Sequence, residues 1–327
     1  MRLPPLNSIN NRWTRAGAVV GVLILLVTSL GAGSWLYVRS LDSGVERVDI
    51  FDHVPAEQRP SPDEALNLLV IGADQADAPG ASSRSDNIIL VNVPSTMDRA
   101  HLVSIPRDTW VSIPPTDAAE SPRSSKINAA YAWGGAPLLV RTVEEFTGIR
   151  IDHVVVVDFA GFGRIIDALD GVEVTVDETF ISLAAGGAVF RSGTHRMNSA
   201  VALEYARERH QFADGDFSRI RHQQAIVTAV LQEVTRKGIL AEPFRLDRFL
   251  RTVAGAVQVD ADLVIPDIVW RLRQIRADRL IALTSPSAGV GMIGDQSVVL
   301  PDRTAAAELY AAISRDEMDR WLAENPQ

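Results

Sequence analysis

The sequence predicts an α/β fold, a β-sheet covered by helices on both faces, preceded by one N-terminal transmembrane helix. Three observations carry this. Short aliphatic runs such as LNLLVIG, DNIILVNV and HVVVVDF read as buried strands. Stretches of helical periodicity alternate with them, and that alternation builds a sheet between helix layers. No internal repeat or low-complexity linker divides residues 65–320, so that span reads as one domain.

Residues 1–15 carry Arg2, Arg12 and Arg15, and 16–38 form an uncharged run, AGAVVGVLILLVTSLGAGSWLYV. At about 1.5 Å per residue such a run can cross a hydrocarbon core of roughly 30 Å. Trp35 and Tyr37 sit near its far end, where amphipathic rings favour the interface. Basic residues before the run and Asp42, Glu46 and Asp49 after it place 1–15 in the cytoplasm and the rest outside. This predicts a single-pass protein of the cell membrane with an extracytoplasmic C-terminal domain. A cleaved signal peptide competes through the small residues Gly31 to Ser34, but the apolar run is long for one. Residues 39–64, polar and dotted with proline, read as an extracytoplasmic stalk.

The folded part begins with the strand LNLLVIG, followed by DNIILVNV and HLVSIP across the turn-like PSTMDRA. A helical pattern through Leu138, Val143 and Phe146 stops at Gly148. The strand HVVVVDF, the helix GFGRIIDALDG ended by Gly171 and the strand VEVTV come next. Helices are expected over 197–209, 216–237, 262–276 and 303–313, with the strands RLIALTS and QSVVLP before the last.

Composition excludes several functions. A formal net charge of −9 opposes a nucleic-acid partner, which calls for a basic excess. The absence of cysteine removes disulfides, thiol catalysis and Cys-ligated zinc. Gly289 to Gly294 fits G-x-G-x-x-G, but a strand pattern follows instead of a helix, so it reads as a glycine-rich β-turn and no dinucleotide site. The histidines lack metal-ligand spacing, and neither a G-x-S-x-G elbow nor a Walker A sequence occurs.

Charge gathers next to strand ends and helix starts. Asp74 follows a strand in GADQ, Arg84 and Asp86 open the next in RSDN, and Arg107 and Asp108 follow a third in IPRD. YARER and GDFSRIRHQQ add Arg207, Arg209, Arg219 and Gln223, the last two four apart on one helical face. Ligands of α/β sheets bind where strands end. Two carboxylates with open positions suit Mg²⁺, and several guanidinium forks suit a pyrophosphate. Surface salt bridging is the bland alternative, stronger for any single residue than for the set.

NLLVIGAD, RSDN, LVSIPRDTWVSIP, KINAAYAWGG, IDHVVVVDFAGF, IDALDGVEV, ALEYARER and GDFSRIRHQQ occur in that order. Together they resemble the LytR–CpsA–Psr family of cell-wall glycopolymer transferases, strongly over about 66–238 and more weakly to about 320. The resemblance implies a three-layer α-β-α domain with a mixed central sheet, anchored by one N-terminal helix. It implies transfer of a glycopolymer from a polyprenyl-pyrophosphate donor to peptidoglycan, assisted by Mg²⁺ or Mn²⁺, with release of polyprenyl phosphate. It assigns Asp74 and Asp86 to the metal and Arg107, Arg207, Arg209 and Arg219 to the pyrophosphate. Lys126 and Gln223 match further phosphate contacts. A hydrophobic tunnel for the prenyl tail is implied, with Val155, Val157, Phe159 and Phe162 as candidates, although such residues also suit plain core. Ala73, Asn87 and His222 depart from the family's usual serine, threonine and arginine. Three other readings stay open: a hydrolase of the same glycolipid, a membrane-bound transcriptional regulator and a non-catalytic scaffold.

Overall fold

The computed structural model describes residues 45–74, 84–116, 120–182, 187–208, 216–239 and 242–325. The expected cytoplasmic N-terminus and transmembrane helix lie outside the described residues. Among the described residues, no helix is long and apolar enough to cross a membrane.

The chain opens with strands β1 (Glu46–Val48), β2 (Leu66–Asp74), β3 (Arg84–Val93), β4 (Ala100–Ser104), β5 (Trp110–Ile113) and β6 (Arg123–Lys126). Helix α1 (Asn128–Thr147) leads to β7 (His153–Val157), α2 (Phe159–Ala168) and β8 (Val172–Val176). Short strands β9 (Phe180–Ser182), β10 (Ala188–Phe190) and β11 (Gly193–Met197) precede α3 (Ser199–Arg207), α4 (Asp216–Arg236) and α5 (Pro243–Ala254). The order closes with β12 (Val257–Asp260), α6 (Ile265–Leu272), β13 (Leu280–Thr284), β14 (Ser287–Ile293), β15 (Gln296–Pro301), α7 (Arg303–Ser314) and α8 (Met318–Glu324).

Seven strands form the central sheet in the order β1-β12-β7-β2-β3-β4-β13. It is mixed, as expected: β2 runs parallel to β7 and antiparallel to β3, and β4 runs parallel to β13. Alternation along each strand divides the two faces. Leu69 and Ile71 of β2 and Ile88 and Leu90 of β3 bury against α1, α7 and α8. Leu68, Ile89 and Val91 face the opposite layer, where Val227 and Leu231 of α4 and Ile268 and Leu272 of α6 meet them. Helix ends follow local chemistry. Asp158 and Asn198 cap α2 and α3 by accepting from Gly161 N and Val201 N, and α1 stops at Gly148 with φ 72°.

Two expectations need correction, and one expected strand stands outside the central sheet. The segment read as a stalk is folded from Val45 onward: β1 joins the sheet beside β12, and Ile50 and Val54 are buried in the core. Its prolines suggested an extended linker, but isolated apolar residues among them find partners. VEVTV forms a strand, yet β8 pairs with β11 in a separate two-stranded sheet and not with the central one. Gly289 to Met292 belong to β14 itself, and only Gly294, at φ 63°, occupies the turn to β15.

A polar ladder crosses β2, β3 and β4 in register. Asn92 Nδ2 donates to Asn67 Oδ1 at 2.9 Å, and His101 Nδ1 lies 3.0 Å from Asn92 Oδ1. All three side chains are buried. Burial pushes the His101 imidazole down to about 4, and the nearby Arg99 charge adds to the effect. The unfolded chain therefore binds a proton below about 6.5 that the native chain takes up only near 4. Stability supplied by the neutral ring is complete above 6.5 and declines as pH falls toward 4, by on the order of 3 kcal/mol. Urea unfolding between pH 4.5 and 7 is expected to have a smaller pH slope for His101→Gln than for the wild type. Equal slopes would contradict this.

Candidate functional site

Strand polarity gathers the candidate residues at one edge of the sheet. The C-terminal ends of β2, β4 and β7 and the start of β3 all lie there, because Gly72 pairs with both Asn87 and Val157 and Ile89 pairs with Ser104. Between β2 and β3 the register shifts: Gly72 pairs with Asn87 and Ala73 with Ser85, leaving Asp86 as the extra residue of a β-bulge. Asp74 pairs with Arg84 on the last rung. The backbones of the two expected metal-binding aspartates thus stand on neighbouring strands within one bulged turn of ladder. Their side chains lie outside the described residues, as do those of Arg84 and Arg219 and the whole of Arg209. Gly72 is required here, since a Cβ would lie 2.8 Å from Asn87 Cβ.

The loop after β4 is held from three sides. Thr109 N and Oγ1 both donate to Pro106 O, at 2.9 and 2.6 Å. Asn128 N donates to Arg107 O at 3.1 Å, and Val299 N to Asp108 O at 2.9 Å. Arg107 and Lys126 consequently meet over one carboxylate: Lys126 Nζ lies 3.2 Å and Arg107 Nε 3.9 Å from the oxygens of Asp108. Trp110 and Lys126 pair across the β5–β6 hairpin, which is how a residue so far along the chain reaches this loop.

On the helix side, the Arg207 guanidinium lies 4.1 Å from the Phe159 ring centroid. The next residue, Glu208, is fully buried and accepts from Ser182 Oγ at 2.5 Å, anchoring the end of α3. Gln223 of α4 donates from Nε2 to Ala206 O at 3.4 Å, and its buried Oε1 has no hydrogen-bond partner among the described residues. His222 stacks on Tyr205 at 4.2 Å and on Phe180 at 5.4 Å, and burial pushes its pKa down to about 4.

Beneath this edge, between the sheet and the layer of α2 to α6, lies a cavity of about 440 Å³. Val155, Val157, Phe159 and Phe162, the residues expected to line a tunnel, all line it. So do Leu68, Val70 and Ile89 from the sheet and Ile226, Val227 and Val230 from α4. Its lining is almost wholly apolar. Asn87, Asp158 and Gln223 belong to its end at the sheet edge, with Gly72 and Ala73. An apolar cavity that reaches a sheet edge carrying Arg107, Lys126 and Arg207 suits an amphiphile whose head is anionic.

Of the expected residues, the structure brings Arg107, Lys126, Arg207 and Gln223 to this edge together with the backbones of Asp74 and Asp86. Asp108 and Glu208 were not singled out for a role. Asp108 was visible in IPRD and Glu208 in YARER, but their ion pair and burial arise from contacts distant in sequence. Among the described residues no group of three or more His, Asp or Glu could hold a metal ion.

Comparison with known proteins gives a consistent picture. Residues 40–312 match the model of the LytR_cpsA_psr family. The regulatory protein MsrR of Staphylococcus aureus is 34% identical over 207 residues, 63% of this chain, and the match spans only 58% of MsrR. The polyisoprenyl-teichoic acid–peptidoglycan teichoic acid transferase TagU of Halalkalibacterium halodurans is 30% identical over 264 residues, 79% of this chain and 81% of TagU. The crystal structure of B. subtilis TagV superimposes with a TM-score of 0.67 at 25% identity, covering 79% of this chain and 99% of TagV.

Gly72→Ala forces the β2–β3 ladder apart beside the bulge. It is expected to cost about 1–3 kcal/mol in urea unfolding. Wild-type stability would show that the strands approach less closely than this geometry requires.

Proposed function

The chain belongs to the LytR–CpsA–Psr family, and we propose that it transfers a glycopolymer from a polyprenyl-pyrophosphate carrier to peptidoglycan. The observation that carries this reading is an apolar cavity whose lining reaches Phe159 and Gln223 at the sheet edge, where Arg207 lies over the Phe159 ring and the loop after β4 carries Arg107 beside Lys126. A prenyl chain satisfies the cavity and a pyrophosphate satisfies the charged edge. The name of the transferase relative supports the donor and acceptor classes. An outward-facing domain anchored in the cell membrane by residues 16–38 would place the site beside both.

Each part of the chain then has a task. The cavity walls hold the tail and exclude water from the lipid side of the diphosphate. Arg107, Lys126 and Arg207, with Arg209 and Arg219, neutralise the phosphate oxygens and favour the negative charge that accumulates on the leaving group. Asp108 keeps the Arg107 and Lys126 side chains in place. An acceptor sugar hydroxyl forms the new bond to the glycan-side phosphorus while the bond to the bridging oxygen breaks. The lipid departs as polyprenyl phosphate, and carboxylates at this edge, Asp86 among them, can take the hydroxyl proton.

The donor set suits Mg²⁺, or Mn²⁺. Asp74 on the last rung and Asp86 at the bulge stand on adjacent strands and would hold the ion through their carboxylates. Bound there, the ion would supply charge neutralisation at the pyrophosphate.

Transfer of labelled glycan from a lipid-pyrophosphate donor to peptidoglycan is the test. Asp74→Ala and Arg107→Ala, folded as judged by circular dichroism, are each expected to lose at least about a hundredfold in rate. Wild-type rates in both would refute the site. Release of free glycan at the same rate without peptidoglycan would instead make the protein a hydrolase.

A further inference from the structure

Because β1 begins at Glu46, the stretch between the apolar run 16–38 and the folded domain is short. Only residues 39–44 intervene before Val45. Fully extended, six residues reach about 20 Å. Val45 itself lines the apolar cavity. Arg47 fixes β1 to the turn between β12 and α6, donating to Ala261 O at 2.8 Å and Leu263 O at 2.9 Å.

The wall of the cavity next to that turn has an unusual exterior. Val264 is 41% exposed, Trp270 on α6 is 58% exposed and Phe244 in the first turn of α5 is 89% exposed. The inner sides of the same helices, through Leu246, Leu250 and Ile268, line the cavity. The Arg273 guanidinium lies over the Trp270 ring. Residues 243–279 hold seven arginines against five aspartates, a net +2 within a chain of net −9. Exposed aromatic rings among arginines match the headgroup region of an anionic bilayer. The rings favour the interface, and arginines extend from apolar stems toward phosphates.

We propose that the outer faces of α5 and α6 rest on the surface of an anionic lipid bilayer, so that the cavity's outer wall touches the membrane that supplies its lipid. The inference rests on the reading that residues 16–38 lie in that membrane. A 39–64 stalk would have let the domain stand well clear of the bilayer, whereas six residues hold it close. Lipid contact at this wall would give an apolar tail a route into the cavity that avoids water.

The chain's lack of cysteine makes the test direct. Val264→Cys, Phe244→Cys and Trp270→Cys in the full chain are labelled with an environment-sensitive fluorophore. Met292→Cys, at a position 66% exposed on β14, serves as comparison. In phosphatidylglycerol/phosphatidylcholine vesicles the first three labels are expected to shift to the blue and to be quenched by nitroxide-bearing lipid, and the fourth is not. The shift should weaken in pure phosphatidylcholine and in Arg248→Glu/Arg273→Glu. Labels at 244, 264 and 270 that behave like that at 292 would overturn the proposal, while glycan transfer measured on the same preparations keeps the functional reading separate. A blue shift without quenching by nitroxide-bearing lipid would mean a second copy covers this face and also overturns it. A full chain that fails to float with vesicles overturns the membrane anchor and the docking together.

Discussion

Protein interiors are close-packed, and about 440 Å³ of apolar space left open beneath one sheet face is the constraint on which the rest of this structure turns. On the other face, Leu69, Ile71, Ile88 and Leu90 meet α1 and α7 in a continuous core. The two sides of one sheet therefore divide the work. One holds the fold together, and the other is spaced for an occupant.

The sheet edge gives that occupant a polar end. Parallel pairing of β2 with β7 brings two strand ends side by side, and the antiparallel β3 and β4 bring a start and an end to the same place. Loops leaving this edge carry the aspartates and arginines, and the bulge at Asp86 alters the alternation just where it would otherwise be regular. Asp108, drawn toward Lys126, and Glu208, buried against Ser182, tie the loops down. The apolar cavity and the charged residues of the sheet edge thus arise from one arrangement of strand ends.

Much of this was legible in the residues, and the exceptions have physical causes. β2, β3 and β7 were readable because buried strands are written as continuous β-branched or aliphatic runs, and α1 ended at a glycine whose φ of 72° explains the choice. β1 was not, because three residues in a proline-rich setting carry no periodicity. α5 was hidden by its arginines, although Leu246, Phe249, Leu250 and Val253 keep helical spacing on its inner side. Asp74 and Arg107 were visible as charges after strands. The bulge, the Asp108–Lys126 pair and the burial of Glu208 depend on register and on hairpins distant in sequence, which no local pattern encodes. Resemblance supplied the lipid and the wall acceptor, and the cavity is what ties that expectation to named side chains of this chain.

A crystal structure of the protein with a polyprenyl pyrophosphate would test the central claim most directly. The prenyl chain is expected among Val155, Val157, Phe159 and Phe162, with its diphosphate against Arg107, Lys126 and Arg207. A lipid bound elsewhere on the surface, with the cavity still unfilled, would contradict it.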